Sequence, residues 1–314
     1  MRLEGIHHVT AITGDARHNL DFYVRVLGLR LVKRSVNQDV PNILQLYYGA
    51  ENGEPGAILA FYEYPGIQVG RAGAGMIHRL SWRIGSEQAL GFWARRLKRE
   101  GVEQERSGAR LRFRDPEGLD LELAVVETGD EPLSASHPDI PEEFALQGFD
   151  SVRAFTRDPE RSRALLEGPL GFERLGDTVW DARGVTRGAR YAYDRAPIGP
   201  RIQGSGTVHH VAWASPEDEQ ERWLQALLEA ATSATPVIDR YWFRSIYFRE
   251  PSGVLFEIAT TGPGFALDEP VERLGERLAL PPTLEHLRGE LEAGLTPLFS
   301  GQSSKITQHA GKRH

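Results

Sequence analysis

The chain of 314 residues contains no cysteine. That single absence removes disulfides, thiolate zinc sites, iron–sulfur clusters and a cysteine nucleophile. Methionine occurs only twice, so histidine, present ten times, is the one soft metal ligand in quantity. Basic residues are outnumbered, 37 Lys and Arg against 44 Asp and Glu, for a formal net charge of -7. A nucleic-acid partner needs a basic footprint on the protein, so none is expected. No apolar run approaches the roughly 18 residues of a membrane span. The opening MRLEGIHHVT lacks a basic region followed by an apolar stretch, so no signal peptide and no membrane partner are expected, and a cytoplasmic location is. Common local signatures are missing too: there is no Walker A loop, no G-x-S-x-G and no H-E-x-x-H. The glycines of GRAGAGM (residues 70–76) do not lie between a strand and a helix, which argues against a dinucleotide site.

What the chain does have is internal repetition. GMIHRLSWRIGS, a helical stretch and RDPEGLDLEL span Gly75 to Glu122; GTVHHVAWASPE, a helical stretch and REPSGVLFEI span Gly206 to Glu257. Strand openings and closings align, and ALGFWARRLKREG and EQERWLQALLEAAT between them carry apolar residues at helical spacing. The unit reads strand, helix, strand, strand, strand. A first copy opens at GIHHVT, with a helix over residues 15–27 stopped by Gly28 and strands over 42–48 and 56–62; a third runs from Gly148 to Tyr193. The expectation is an α+β protein of four βαβββ modules. Residues 1–130 would hold modules one and two, residues 145–264 modules three and four, with the polar, Pro-rich GDEPLSASHPDIP (129–141) linking the halves. Residues 265–314 would form a C-terminal arm whose helical pattern at 280–298 packs across the modules or against another copy in a homo-oligomer. The end, SGQSSKITQHAGKRH, is expected to be poorly ordered.

Two adjacent histidine pairs, His7-His8 and His209-His210, occupy the same place in modules one and four, the middle of the first strand. Neighbouring strand residues face opposite ways, so each pair offers one imidazole to a given cavity. Glu257 lies in the apolar frame V-L-F-E-I, where a carboxylate is costly unless paired or bound to a cation. In module two the aligned positions are Arg79 and Glu122, which reads as a copy with an ion pair in place of a metal. Only one full ligand set can be drawn: one His from module one, one from module four, and Glu257. Two imidazoles and a carboxylate are the facial-triad ligands of non-haem Fe(II) oxygenases; Mn(II) fits the same ligands, and Zn(II) fits by ligand type.

With these residues in view, the chain resembles the vicinal oxygen chelate superfamily, which includes glyoxalase, bleomycin resistance protein and extradiol dioxygenases. Within it the resemblance is to ring-cleaving dioxygenases acting on hydroquinones. It rests on G-I-H-H-V-T, G-D-A, L-G-L-R-L-V-K-R, the pair at 209–210, Arg240 with Tyr247, and P-S-G-V-L-F-E, and spans residues 1–298. It implies two cup-shaped half-barrels, an Fe(II) ion held by His8, His210 and Glu257, and nearby catalytic groups at His7, His209, Thr10, Arg240 and Tyr247. It further implies an aromatic diol and O2 as substrates. Arg240 would hold an anionic substrate oxygen through its fork of donors, Tyr247 would hydrogen-bond it, and a neutral His would move a phenol proton. Two other readings use the same fold. A glyoxalase-like isomerase needs a second carboxylate where module one has Ala60; a drug-binding module needs no metal at all.

Overall fold

A computed structural model describes residues 1–299. Module one runs β1 (Ile6–Thr13), α1 (Ala16–Leu20), β2 (Arg30–Val36), β3 (Leu44–Gly49) and β4 (Ile58–Glu63); module two runs β5 (Met76–Ile84), α2 (Glu87–Arg99), β6 (Gln104–Ser107), β7 (Arg110–Arg114) and β8 (Asp120–Val125). Module three comprises β9 (Phe149–Thr156), α3 (Glu160–Glu167), β10 (Glu173–Gly176), β11 (Val179–Arg183) and β12 (Gly188–Arg195). Module four comprises β13 (Val208–Ser215), α4 (Gln220–Glu229), β14 (Ile238–Asp239), β15 (Phe243–Arg249) and β16 (Leu255–Pro263).

The helix starts follow from capping side chains. Asp15 accepts the amides of Arg17 and His18, and Ser86 accepts that of Ala89. The first helix falls within the expected 15–27, but only its first turn is α; Asp21–Val26 continues as a π-helix. Gly28 ends it with φ of 72°, in the left-handed region that glycine adopts without a Cβ penalty.

The modules combine across the chain. One eight-stranded sheet has the order β14-β15-β16-β13-β1-β4-β3-β2 and the other β10-β11-β12-β9-β5-β8-β7-β6. Modules one and four therefore share one sheet and modules two and three the other, each joined through antiparallel first strands, β1 to β13 and β5 to β9. Each sheet thus draws one module from each half of the chain. All six tryptophans are buried, and one apolar cluster runs through both sheets from Ile6, Val9 and Val211 to Leu80, Trp82 and Val152. No helix among the described residues is long and apolar enough to cross a membrane.

The C-terminal arm packs on its own chain. Leu278, Leu280 and Leu291, the last on α5 (Arg288–Gly294), cluster with Val36 of β2, and the Ala279 amide donates to the Arg34 carbonyl at 2.8 Å. The arm thereby covers the free edge of the first sheet, which would otherwise present unpaired backbone groups. The fully buried Lys33 ammonium fastens it further, donating to Asp268 at 2.8 Å and to Glu269. The expected disorder of residues 300–314 lies outside the described residues.

Candidate metal centre

Sheet register places the candidate residues on one concave surface. Along one row across the strands lie Tyr47, Ala60, Thr10 and His210; along the next lie Ile58, His8, Ala212, Glu257 and Tyr247. The alanines at 60, 212 and 259 leave the floor open, so the larger polar side chains converge over it. Two imidazoles 202 residues apart and a carboxylate on a third strand thus become neighbours because β1, β13 and β16 are adjacent.

The convergence is tight. Nε2 of His8 and Nε2 of His210 are 3.2 Å apart, and they lie 3.3 and 3.0 Å from Oε2 of Glu257. Metal–ligand bonds of about 2.1 Å set at roughly right angles would give edges of about 3.0 Å, so the triangle has the size of one face of a coordination shell. All three side chains are buried, Glu257 completely. Glu257 Oε2 has no hydrogen-bond partner among the described residues, although Oε1 accepts from Ser245 Oγ at 2.5 Å. A fully buried carboxylate oxygen left unpaired beside two imidazole nitrogens is a costly arrangement without a cation, and no other His, Asp or Glu group among the described residues has ligand spacing. Burial alone would raise the Glu257 carboxyl, but His8 and His210 overcome it and hold it well below the usual carboxylate range. It therefore stays an anion.

The histidine pairs owe their geometry to the register. Between Ile6 and His8 one extra residue, His7, is inserted in β1; between Thr10 and Ala11 the extra residue falls on β13 as His209. Both first histidines thus sit at β-bulges, which re-aim side chains. Strict alternation would separate the members of each pair; the bulges instead bring Nδ1 of His7 to 2.9 Å from Nδ1 of His8, and Nδ1 of His209 to 2.8 Å from Nδ1 of His210. His7 Nε2 lies 3.0 Å from the Thr260 carbonyl, which can only accept. The proton of a neutral His7 is then on Nε2 and its Nδ1 accepts from His8 Nδ1, so a cation in the triangle would meet the His8 Nε2 lone pair. Burial, followed by the neighbouring His8, pushes His7 down to about 3, so it remains neutral.

Of the five further candidates, Thr10, Arg240 and Tyr247 line the cup, whereas His7 and His209 stand behind the ligand histidines and do not. Thr10 Oγ1 is buried and without a partner among the described residues. Tyr247, opposite Glu257 in the antiparallel pair, has its phenol pushed well above the ordinary range by burial and then by Glu257, so it is a proton donor at all ordinary pH. Arg240 stacks over the Tyr247 ring at 5.4 Å and makes a double ion pair with Asp39, each N–O distance 2.8 Å. Sequence reasoning missed Gln45, Tyr47, Tyr62, Phe243 and the mouth loop Asn37–Asp39, all of which line the cup. Alternation along β3 and β4 marks Gln45, Tyr47 and Tyr62 once Ala60 is aligned with Glu257; nothing in the sequence marks Asp39.

Ser245 was also missed, and it carries the first expected outcome. Its hydroxyl orients Glu257, and supporting hydrogen bonds of this kind tune metal sites. Ser245→Ala should weaken divalent metal binding by about 10–100-fold, read by metal titration of the stripped protein; an unchanged affinity would show that the hydroxyl only fills space.

The second sheet corrects one expectation. Arg79 occupies the place of His8 but does not pair with Glu122. Glu122 is taken by Arg110, by Arg112 at 2.8 Å and by Ser81 at 3.1 Å. Arginines on the adjacent β7 reach it more directly than one on β5.

Paired βαβββ modules sharing a sheet, with a buried His-His-carboxylate triangle in its hollow as a candidate metal site, have the architecture of the vicinal oxygen chelate type. The chain belongs to the Glyoxalase/Bleomycin resistance protein/Dioxygenase superfamily, whose model matches residues 5–123 and 148–258. It is 40% identical over 301 residues, 93% of this chain and 96% of the other, to a Bacillus subtilis protein provisionally named ring-cleaving dioxygenase MhqO. It is 32% identical over 311 residues, 92% and 95% of the two chains, to the chlorohydroquinone/hydroquinone 1,2-dioxygenase of Sphingobium indicum. A crystal structure provisionally described as a dioxygenase from Bacillus subtilis superposes with a TM-score of 0.88 at 39% identity, covering 95% of this chain and 98% of that one. The protein is accordingly an enzyme of the dioxygenase type.

Proposed function

We propose that the protein is an Fe(II)-dependent, extradiol-type dioxygenase that opens the ring of a hydroquinone or a related aromatic diol. The observation that carries this reading is the buried triangle of His8, His210 and Glu257 facing a cup of phenols and one arginine. The relatives named for ring cleavage support it. When bound, Fe(II) would supply open coordination positions at which a phenolate oxygen and O2 meet. The chain supplies the rest. Neutral His8 and His210 and the anionic Glu257 leave one net positive charge on a divalent ion, which favours loss of a phenol proton from a bound diol. Tyr47, Tyr62 and Tyr247 have phenols raised above the ordinary range, by burial first in each case, so they remain donors toward substrate oxygens. Arg240 keeps its charge: burial opposes it, but Asp39 and then Tyr247 more than compensate. Its planar fork suits an anionic oxygen at the end of the substrate away from the triangle. For hydroquinone, one ring C–C bond breaks and both atoms of O2 remain in the open-chain product, one completing a carboxylic acid and one an aldehyde. A glyoxalase-like isomerase lacks support here, because Ala60 brings no donor to the place where it would need a carboxylate.

The test is metal analysis of protein purified without oxygen, followed by oxygen uptake on hydroquinone. About one iron per chain with one O2 consumed per ring opened is the expected result. Full turnover with zinc alone, or no oxygen uptake at full iron loading, would overturn the reading.

A further inference from the structure

The sheet built from modules two and three has a hollow of its own, and it is lined by charge of a different kind. Register makes Arg79 the counterpart of His8 and Ser151 the counterpart of His210: Arg79 lies opposite Arg153 and Ser81 opposite Ser151, as His8 lies opposite Ala212 and Thr10 opposite His210. A cavity of about 440 Å³ opens here, against about 20 Å³ in the metal cup. Its walls carry Arg79, Arg112, Arg153 and His78, with Asp120 and Asp194.

The carboxylates around this hollow are already committed. Asp194 takes a double ion pair from Arg153, at 2.7 and 2.5 Å, and a contact from His78 at 2.9 Å. Asp120 pairs with Arg114 at 2.8 Å, and Glu122 is held by Arg110 and Arg112. Arg79 alone among the arginines lining the cavity has no ion pair and no hydrogen bond among the described residues, and its Nε is buried without a partner. Burial and then the nearby Arg112 make its charge harder to hold than that of an ordinary arginine. A buried guanidinium N–H without an acceptor is unfavourable, and an anion in the cavity would complete it. Beside it, His78 stacks on Phe155 with ring centroids 3.7 Å apart and planes 7° from parallel, which gives the cavity one flat aromatic wall.

We propose that this second hollow binds a small planar carboxylate, held by the Arg79 fork against the His78–Phe155 wall. A single uncommitted guanidinium matches one negative charge, and two parallel N–H groups match the two oxygens of a carboxylate. Asp120 and Asp194 on the same walls disfavour a more highly charged anion such as phosphate. The flat wall selects an aromatic or unsaturated body over a bulky saturated one. This site neither contains nor touches the metal triangle, so it stands or falls independently of the ring-cleavage reading.

The experiment is calorimetric titration of the metal-loaded, full-length protein at low ionic strength with benzoate and, separately, with inorganic phosphate. Benzoate should bind saturably at one site per chain, more tightly than phosphate. Arg79→Met should weaken it at least 10-fold while hydroquinone turnover without benzoate stays within about two-fold, the loss expected when one charge-assisted contact goes. Arg240→Met, in the metal cup, should leave benzoate binding unchanged. If Arg79→Met does not fold, Arg79→Gln keeps the polarity, removes the charge and reads the same loss. No saturable binding, equal affinity for phosphate, undiminished binding in the Arg79 variants, or loss of binding in Arg240→Met would each overturn the proposal.

Discussion

Glu257→Gln is expected to lower divalent metal affinity by well over the 10–100-fold that changes to supporting residues cost, and to abolish oxygen uptake at any metal concentration that saturates the parent. Glutamine preserves the side-chain volume in a site that is fully buried, so β16 keeps its packing between β13 and β15. It also keeps an amide oxygen for the Ser245 hydroxyl and gains an N–H that can reach an imidazole nitrogen now 3.0–3.3 Å from Oε2. What it removes is the only anion in the triangle, and with it the charge that favours a divalent ion over water. The apoprotein should therefore melt within a few degrees of the parent. Metal titration, oxygen uptake and a thermal melt on the same preparation separate the cases. A variant that binds metal normally would leave Glu257 as a packing residue; a variant that melts far below the parent would make the loss of activity uninformative, and Glu257→Asp would then be read instead. There the charge stays and only the reach shortens, so metal should bind, more weakly than in the parent.

Much of this site is legible in the sequence because it is written twice. I-H-H-V and V-H-H-V mark equivalent strands, and the carboxylate of V-L-F-E-I stands out only because its frame is apolar and its counterpart in module two comes with an arginine at the histidine position. Module equivalence also implies that modules one and four lie side by side, since no other pairing unites the ligands. The remainder depends on register, which no single strand encodes. That His7 and His209 are bulged residues touching the ligands from behind is decided by a one-residue offset between β1 and β13. Arg79 and Glu122 align in the repeat, yet Glu122 is satisfied by Arg110 and Arg112, because an adjacent antiparallel strand reaches it first. Ser245 and Asp39 carry no sequence signal: one is a small residue on a strand, the other an acid in a turn, and each acquires meaning only from what it touches.

Asp39 matters because the cup, as it stands, is too narrow for substrate. Its free volume of about 20 Å³ holds little more than one water, far short of an aromatic ring. Across the mouth, the turn between β2 and β3 meets the loop before β15 through the double Asp39–Arg240 ion pair, and Gln38 Nε2 donates to the Arg240 carbonyl at 2.8 Å. An aromatic diol entering through this mouth must part this contact, and a substrate anion that binds Arg240 must compete with the Asp39 carboxylate for the same fork. The two partners should then fail in opposite directions. Arg240→Met removes charge-assisted hydrogen bonds that contribute about 1.5–3 kcal/mol, so kcat/KM on hydroquinone should fall by roughly 10–100-fold. Asp39 is about two-thirds exposed, where such a pair contributes only about 0.2–1 kcal/mol. Asp39→Asn should therefore leave stability almost unchanged and lower KM by at most about five-fold, because it removes a competitor and not a contact to substrate. In the double variant the benefit of Asp39→Asn should vanish, since nothing remains to compete for. Steady-state kinetics on the four proteins read the coupling directly. A rise in KM on Asp39→Asn, comparable to that of Arg240→Met, would show that Asp39 instead holds Arg240 in its working position, and the mouth contact would then be part of the site and not its latch.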